Sequence, residues 1–185
     1  MMTTTAPELA HRLMASPVGE LKLVASQAAL VAVLWENDDP RRVPLEPSRL
    51  SQEHPVLREA ARQLEAYFAG ERRRFDLPLA FHGSAFQRGV WAALLDIPYG
   101  ETRSYGELAR LLGDVKASRA VGAANGRNPL SIVAPCHRVI GASGKLTGFA
   151  GGLEAKAFLL ALEGVRFEAE TSEQSRFDFD APRAA

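Results

Sequence analysis

The sequence predicts a mixed α/β (α+β) chain, with strands gathered in its first half and helices in its second. Three observations predict it. Residues 13–26 alternate apolar and polar side chains around Pro17 and Gly19, the pattern of a hairpin. Two capping boxes, Ser84 with Gln87 and Ser104 with Glu107, open helices further on. Two short helical segments on either side of Gly113 have the spacing of a helix-turn-helix. The same spacing also occurs in ordinary helical packing.

At 185 residues the chain is about one domain long, or two small ones. Gly83 is the expected boundary. Residues 1–82 read as an N-terminal α/β domain, 83–165 as a second, helical domain, and 166–185 as a loose acidic tail.

Taken in order, a third strand succeeds the hairpin over residues 30–35, and the proline- and charge-rich stretch 40–55 reads as loop. Val56, Leu57, Ala60, Leu64 and Phe68 share one face of a helix that Gly70 ends. Residues 77–81 are expected to be extended. The helix opened by Ser84 carries Phe86, Val90, Trp91 and Leu94 on its apolar side. The helix opened by Ser104 reaches Leu112 and stops at Gly113, and a third spans about 117–125. Residues 130–134 are expected to be a strand, 141–144 a turn, and 153–163 a last amphipathic helix. A strand pair after the helix-turn-helix would make a wing.

Composition narrows the function. Basic and acidic side chains balance at 22 each, which excludes a polyanion-coating protein of the histone type. One cysteine excludes an intrachain disulfide and a multi-cysteine zinc site. The longest unbroken apolar run, residues 28–35, is far short of the roughly 20 residues a membrane-spanning helix needs. The N-terminal residues 1–17 lack a basic region followed by an apolar block, so no signal peptide is expected, and the cytoplasm is the default. The zero net charge hides an asymmetry: residues 103–145 hold seven basic and two acidic side chains, net +5. That segment is either a footprint for a polyanion or a solvated face.

The stretch 128–139 carries the chemistry. A lone cysteine is commonly a small buried hydrophobe. Here Cys136 comes after an expected apolar strand broken by Pro135, where the chain would leave the core, and His137 and Arg138 would supply positive charge that lowers a thiol pKa. Asn128 stands at the other end of that strand. On an extended chain, neighbours point to opposite faces, so contact between His137 and Cys136 needs a turn or a bridging water. A histidine base also needs a partner to fix its tautomer, and Glu163 in the last helix is the candidate, the alternative being an ordinary surface carboxylate.

At these residues the chain resembles the methylated-DNA–protein-cysteine methyltransferases, the O6-alkylguanine-DNA alkyltransferases. The resemblance rests on Phe86-Gln87-Arg88-Gly89-Val90-Trp91, Ile97-Pro98-Tyr99-Gly100-Glu101-Thr102, Ser104-Tyr105, Arg119-Ala120-Val121-Gly122, Asn128-Pro129 and Pro135-Cys136-His137-Arg138-Val139, in that order. It is strong over residues 84–164 and weak over 12–81, where Ser16-Pro17-Val18-Gly19 and the next strand carry it.

The resemblance implies a small ribonuclease-H-like domain packed on a winged helix-turn-helix domain. It also implies a minor-groove base-flipping reaction on double-stranded DNA containing O6-alkylguanine, by a monomer without cofactor or metal. It makes Cys136 the alkyl acceptor, His137 the base acting through water, Glu163 its orienting partner and Asn128 the holder of the turn. Tyr105 would donate to guanine N3, and Arg119 would fill the space left by the flipped nucleotide. Backbone groups of Cys136 and Val139 would read the guanine edge, with Pro129, Ala120, Arg138, Phe149 and Ala150 also on the substrate or DNA side. Phe149 stands where tyrosine is frequent in such proteins and Ala150 where serine or glycine occurs. A non-catalytic lesion-binding or winged-helix regulatory protein, and a cysteine hydrolase using Cys136, His137 and Glu163, are the competing classes. The presence of Cys136 argues against the lesion binder, and no oxyanion-hole motif supports the hydrolase.

Overall fold

The computed structural model describes residues 8–167. Of the tail at 166–185, all but the first two residues lie outside the described part.

The N-terminal hairpin forms as its alternation requires. Strand β1 (Leu9–Met14) pairs antiparallel with β2 (Leu21–Ala25) across the turn at Ser16 and Gly19. Gly19 has φ +101°, a conformation that glycine adopts at little cost. Strand β3 (Leu30–Trp35) extends the sheet on the other side of β2. A short β4 (Ser48–Leu50), inside the segment expected to be loop, lies parallel to β1 and completes the order β3-β2-β1-β4. Its three residues are too few to show a periodicity in the sequence. Helix α1 (Pro55–Phe68) has proline in its first turn and buries Leu57, Ala60, Leu64 and Tyr67 against the sheet. Val56 and Phe68, expected on that face, are half-buried. The piece at 77–81 touches β3 through a single bridge, Leu30 to Leu79.

In the second half both capping boxes are made in full. Ser84 and Gln87 close the start of α2 (Ala85–Leu95), and Ser104 and Glu107 that of α3 (Tyr105–Leu111). Helix α2 buries Val90, Trp91 and Leu94, whereas Phe86 is largely exposed. Helix α4 (Ser118–Gly126) packs against both α2 and α3, giving the helix-turn-helix. Trp91 fixes α2 to α4 by donating its indole N–H to the Ala124 carbonyl, 2.8 Å.

Two expectations in this half need correction. The strand pair brackets the helix-turn-helix instead of coming after it: β5 (Arg103–Ser104) runs parallel to β6 (Val139–Ile140). After β6 the chain makes a tight loop closed by the Gly141 N–H on the Lys145 carbonyl. Residues 130–134 are also not a strand but part of a buried, sharply turning segment. Helix α5 (Leu153–Leu162) returns across the site. One continuous apolar core runs from Leu21, Leu23 and Leu64 in the first half to Leu94, Leu108, Cys136 and Leu159 in the second. No helix among the described residues is long and apolar enough to cross a membrane.

Candidate active site

The backbone from Asn128 to Val139 is buried throughout, so Cys136 does not sit where the chain leaves the core. Two consecutive three-residue turns carry it. The Val133 N–H donates to the Ser131 carbonyl, 2.8 Å, around Ile132 at φ +72°. This is the rare γ-turn, and a β-branched residue there is a backbone outlier. The Cys136 N–H then donates to the Ala134 carbonyl, 2.8 Å, around Pro135 at φ −81° and ψ 69°, the common inverse γ-turn. Residues Cys136–Arg138 continue as one turn of 3₁₀ helix. A buried backbone this tightly folded must satisfy its polar groups locally. Asn128 does much of this: its amide donates to the Ala134 carbonyl, 2.7 Å, and accepts from the Leu130 N–H, 3.0 Å.

The resting thiol is protonated. Burial pushes the Cys136 pKa up, and the Asn128 side chain, Arg42 and Lys156 oppose the rise without reversing it. The two positive neighbours expected to lower it do not. Burial holds His137 below its usual pKa, and Glu163 only partly compensates, so the imidazole is neutral near pH 7. The charge of Arg138 is taken up by an ion pair with Glu163.

Glu163 is a buried carboxylate, not a surface one. Its Oε1 accepts from Tyr67 O–H (2.7 Å), His137 Nε2–H (2.8 Å) and Arg138 Nη2 (2.9 Å), and its Oε2 from Arg138 Nε (2.8 Å). The Gly100 N–H also points to Oε2 at 3.4 Å, from a glycine at φ +80° whose hypothetical Cβ would lie 3.1 Å from the Glu163 carbonyl. Burial alone would raise the Glu163 pKa, but the bonds from His137 and Arg138 outweigh it and bring it to about 2. With the carboxylate ionised, His137 must present its proton on Nε2. Nδ1 then keeps its lone pair, and it is buried with no hydrogen-bond partner among the described residues. The arrangement is therefore an imidazole whose tautomer is fixed and whose accepting nitrogen has no partner among the described residues.

Arg138 is 6% exposed, pairs with Glu163 through two nitrogens and donates Nη1 to the Ile97 carbonyl, 2.5 Å. It belongs to this network and not to the DNA-facing surface expected of it. Tyr105 opens α3, packs over Gly122 and bonds through its hydroxyl to Thr147 Oγ1, 3.0 Å. Arg119, in the first turn of α4, is exposed and has no hydrogen bond or ion pair among the described residues, so it does not cap or brace its helix. Ala120 beside it is exposed too. The Val139 N–H is taken by the Cys136 carbonyl, and its own carbonyl accepts from Lys156, 2.6 Å. Pro129 is buried and accepts the Val33 N–H, while Phe149 is half-buried and Ala150 exposed.

Four residues of the site are not legible in the sequence. Lys156 is fully buried, bonds the Val139 and Thr147 carbonyls, and has a pKa lowered by burial to about 8. Arg42, paired with Asp38, donates to the Asn128 carbonyl, 2.8 Å. Trp35 donates its indole N–H to Ser131 Oγ, 3.1 Å, and Tyr67 caps Glu163. Three of these come from the N-terminal half, and the only local signal is a polar-tipped aromatic in α1.

Fold and site together define a helix-turn-helix protein with one buried cysteine followed directly by a buried His137–Glu163–Arg138 network. Comparison with known proteins narrows the class. The family model described as the 6-O-methylguanine DNA methyltransferase DNA binding domain matches residues 85–165, and that of the ribonuclease-like domain of the same methyltransferase matches 9–81. The methylated-DNA–protein-cysteine methyltransferase of Methanosarcina acetivorans is 54% identical over 149 residues, covering 80% of this chain and 94% of that one. Its namesake in Mycolicibacterium paratuberculosis is 53% identical over 155 residues, covering 83% and 91%. The crystal structure of the O6-methylguanine methyltransferase of Mycobacterium tuberculosis superposes with a TM-score of 0.76 at 47% identity, over 88% of this chain and 96% of that one. A structure of the Mycobacterium tuberculosis protein OGT in complex with DNA gives 0.75 at 47% identity, over 83% and 92%. The chain belongs to the 6-O-methylguanine DNA methyltransferase family.

Proposed function

We propose that this protein repairs alkylated DNA by moving the alkyl group of O6-alkylguanine onto Cys136, once and irreversibly. The observation that carries the reading is the buried pair at the residue after Cys136: an ionised Glu163 bonded to His137 Nε2, leaving Nδ1 buried and without a hydrogen-bond partner among the described residues. An alkyl carbon on oxygen is a poor electrophile and needs a thiolate. The thiol proton passes through a water molecule to His137 Nδ1, and Glu163 holds the imidazolium that forms. The S–C bond forms as the C–O bond breaks, and the purine departs as an anion.

Tyr105 donates toward guanine N3 as negative charge grows on the leaving base. The remaining lone pairs of the Cys136 and Val139 carbonyls accept from the guanine amine. Phe149 and Ala150 flank the alkyl group, Asn128 holds the turn, and Pro129 and Ala120 line the approach. The target carbon lies inside the base stack, so the nucleotide is extruded through the minor groove, with Arg119 taking its place. The reading also makes the protein a monomer acting in the cytoplasm. The thioether product has no leaving path, so each molecule acts once.

The test is intact-protein mass after incubation with a duplex bearing O6-methylguanine. One methyl group per molecule on Cys136, lost in Cys136→Ser while DNA binding persists, is the expected result. Binding without a mass change would mean a lesion-recognition protein, and repeated turnover a different chemistry.

A further inference from the structure

We infer that Trp35, in the N-terminal half, sets the width of the alkyl pocket and so decides which alkyl groups Cys136 accepts. The inference rests on the transfer reaction proposed above and names a specificity determinant for it. Trp35 ends β3 and is 6% exposed. Its indole touches both the turn that leads to Cys136 and the 149–151 loop that the proposed reaction sets beside the alkyl group. On one side its N–H donates to Ser131 Oγ, at the start of the γ-turn that leads to Cys136. On the other its ring meets Phe149 edge-on, with centroids 5.3 Å apart and planes at 68°. The ring also lies directly under Gly151, where a hypothetical Cβ would come within 2.7 Å of ring atoms Cδ2 and Cε2. Such contact leaves no room for any other residue at 151 while the indole is in place.

The flanking segments have further supports, and Lys156 ties the end of the Cys136 segment to the loop through the Val139 and Thr147 carbonyls. The Val33 N–H holds the Pro129 carbonyl, and Lys156 and Tyr105 hold Thr147 through its carbonyl and hydroxyl. Trp35 joins the 131 turn to the 149–151 loop. An indole has two rotatable bonds and is clamped here on three sides, so it acts as a rigid spacer. The position of the 149–151 loop over the 131 turn is then held by the indole. A shorter side chain lets the 149–151 loop draw back into the space the indole held, which loosens the fit around a methyl group and makes room for a larger one.

The measurement is the rate of alkyl transfer from duplexes carrying a single O6-methylguanine or a single O6-benzylguanine, expressed as the benzyl-to-methyl ratio. Pocket contacts of this size discriminate by about tenfold or more, so Trp35→Ala should raise the ratio about tenfold. Trp35→Phe, which keeps a ring against Phe149, should change it less than about twofold. Gly151→Ala should slow methyl transfer about tenfold in the otherwise unchanged chain, and less than about twofold further when combined with Trp35→Ala, because the obstructing ring is gone. Trp35→Leu is read in the same way, so a poorly folding alanine variant leaves the test intact. A spacer with no role beyond packing would lower both rates in parallel with thermal stability. An unchanged ratio in both Trp35→Ala and Trp35→Leu, or equal damage from Gly151→Ala in both backgrounds, overturns the inference. Failure of the unmodified chain to alkylate Cys136 from either duplex overturns the transfer reaction itself, and this inference with it.

Discussion

The hydroxyl of Tyr67 lies 2.7 Å from Glu163 Oε1, joining the last turn of the first helix to the end of the last one, 96 residues away. Tyr67 is fully buried, and Glu163 raises its pKa further beyond what burial does, so the phenol stays a donor at any working pH. The N-terminal half thereby completes the shell of the carboxylate that orients the base. Loss of such a bond to a buried charge costs about 1.5–3 kcal/mol. Tyr67→Phe, which preserves shape, is expected to lower stability by about 2 kcal/mol in chemical denaturation. It should slow alkyl transfer at matched folded fraction, with an upward shift of the acid limb of the pH–rate profile.

Stability should fall in two stages on acidification. His137 is held below its usual pKa, so the unfolded chain binds its proton more readily, and stability declines as pH drops below about 6.5. Glu163 is depressed from 4.5 to about 2, so its contribution is present above pH 4.5 and is lost as pH falls toward 2. A displacement of that size corresponds to about 3 kcal/mol. Denaturation midpoints measured across pH should show both stages, and Glu163→Gln should abolish the lower one. An identical acid slope in that variant would assign the effect to other carboxylates.

Arg119 and Tyr105 stand at separable positions, one exposed on α4 and unpaired among the described residues, the other tied to Thr147 at the start of α3. Arg119→Ala is expected to slow repair of duplex DNA strongly, by up to the few-kcal/mol cost of extrusion, and to leave reaction with free O6-benzylguanine nearly unchanged. Tyr105→Phe removes a donor to the leaving purine and should slow both substrates alike. Equal losses for Arg119→Ala on both substrates would refute its duplex role.

DNA binding should be salt-sensitive but modestly so. Within 103–145 Arg138 is neutralised internally by Glu163, while Arg110, Lys116, Arg119, Arg127 and Lys145 are exposed. Neutralisation of three to five phosphates gives a log–log slope of about −3 to −4.5 on duplex DNA. Fluorescence anisotropy across a salt series measures it, and a slope near zero would mean that the basic segment faces away from the DNA.

Features that act over a few residues are legible along the chain. The capping boxes at Ser84 and Ser104 act over three residues, so their helices begin where the sequence places them. The hairpin turn needs only Ser16 to Gly19, and the run from Asn128 to Val139 marks the reacting residues wherever the chain carries them. Tertiary structure decided the environment of those residues. The segment 130–134 has strand composition, but Asn128 and the packed core bend it into a γ-turn around Ile132 at positive φ, a conformation no propensity favours. Burial reversed the expected effect on the thiol, because desolvation outweighs neighbouring charge once His137 is neutral and Arg138 is paired. Tyr67, Arg42 and Trp35 could not be read as site residues at all. Their partners lie 86 to 96 positions away, and no periodic pattern encodes a contact at that separation.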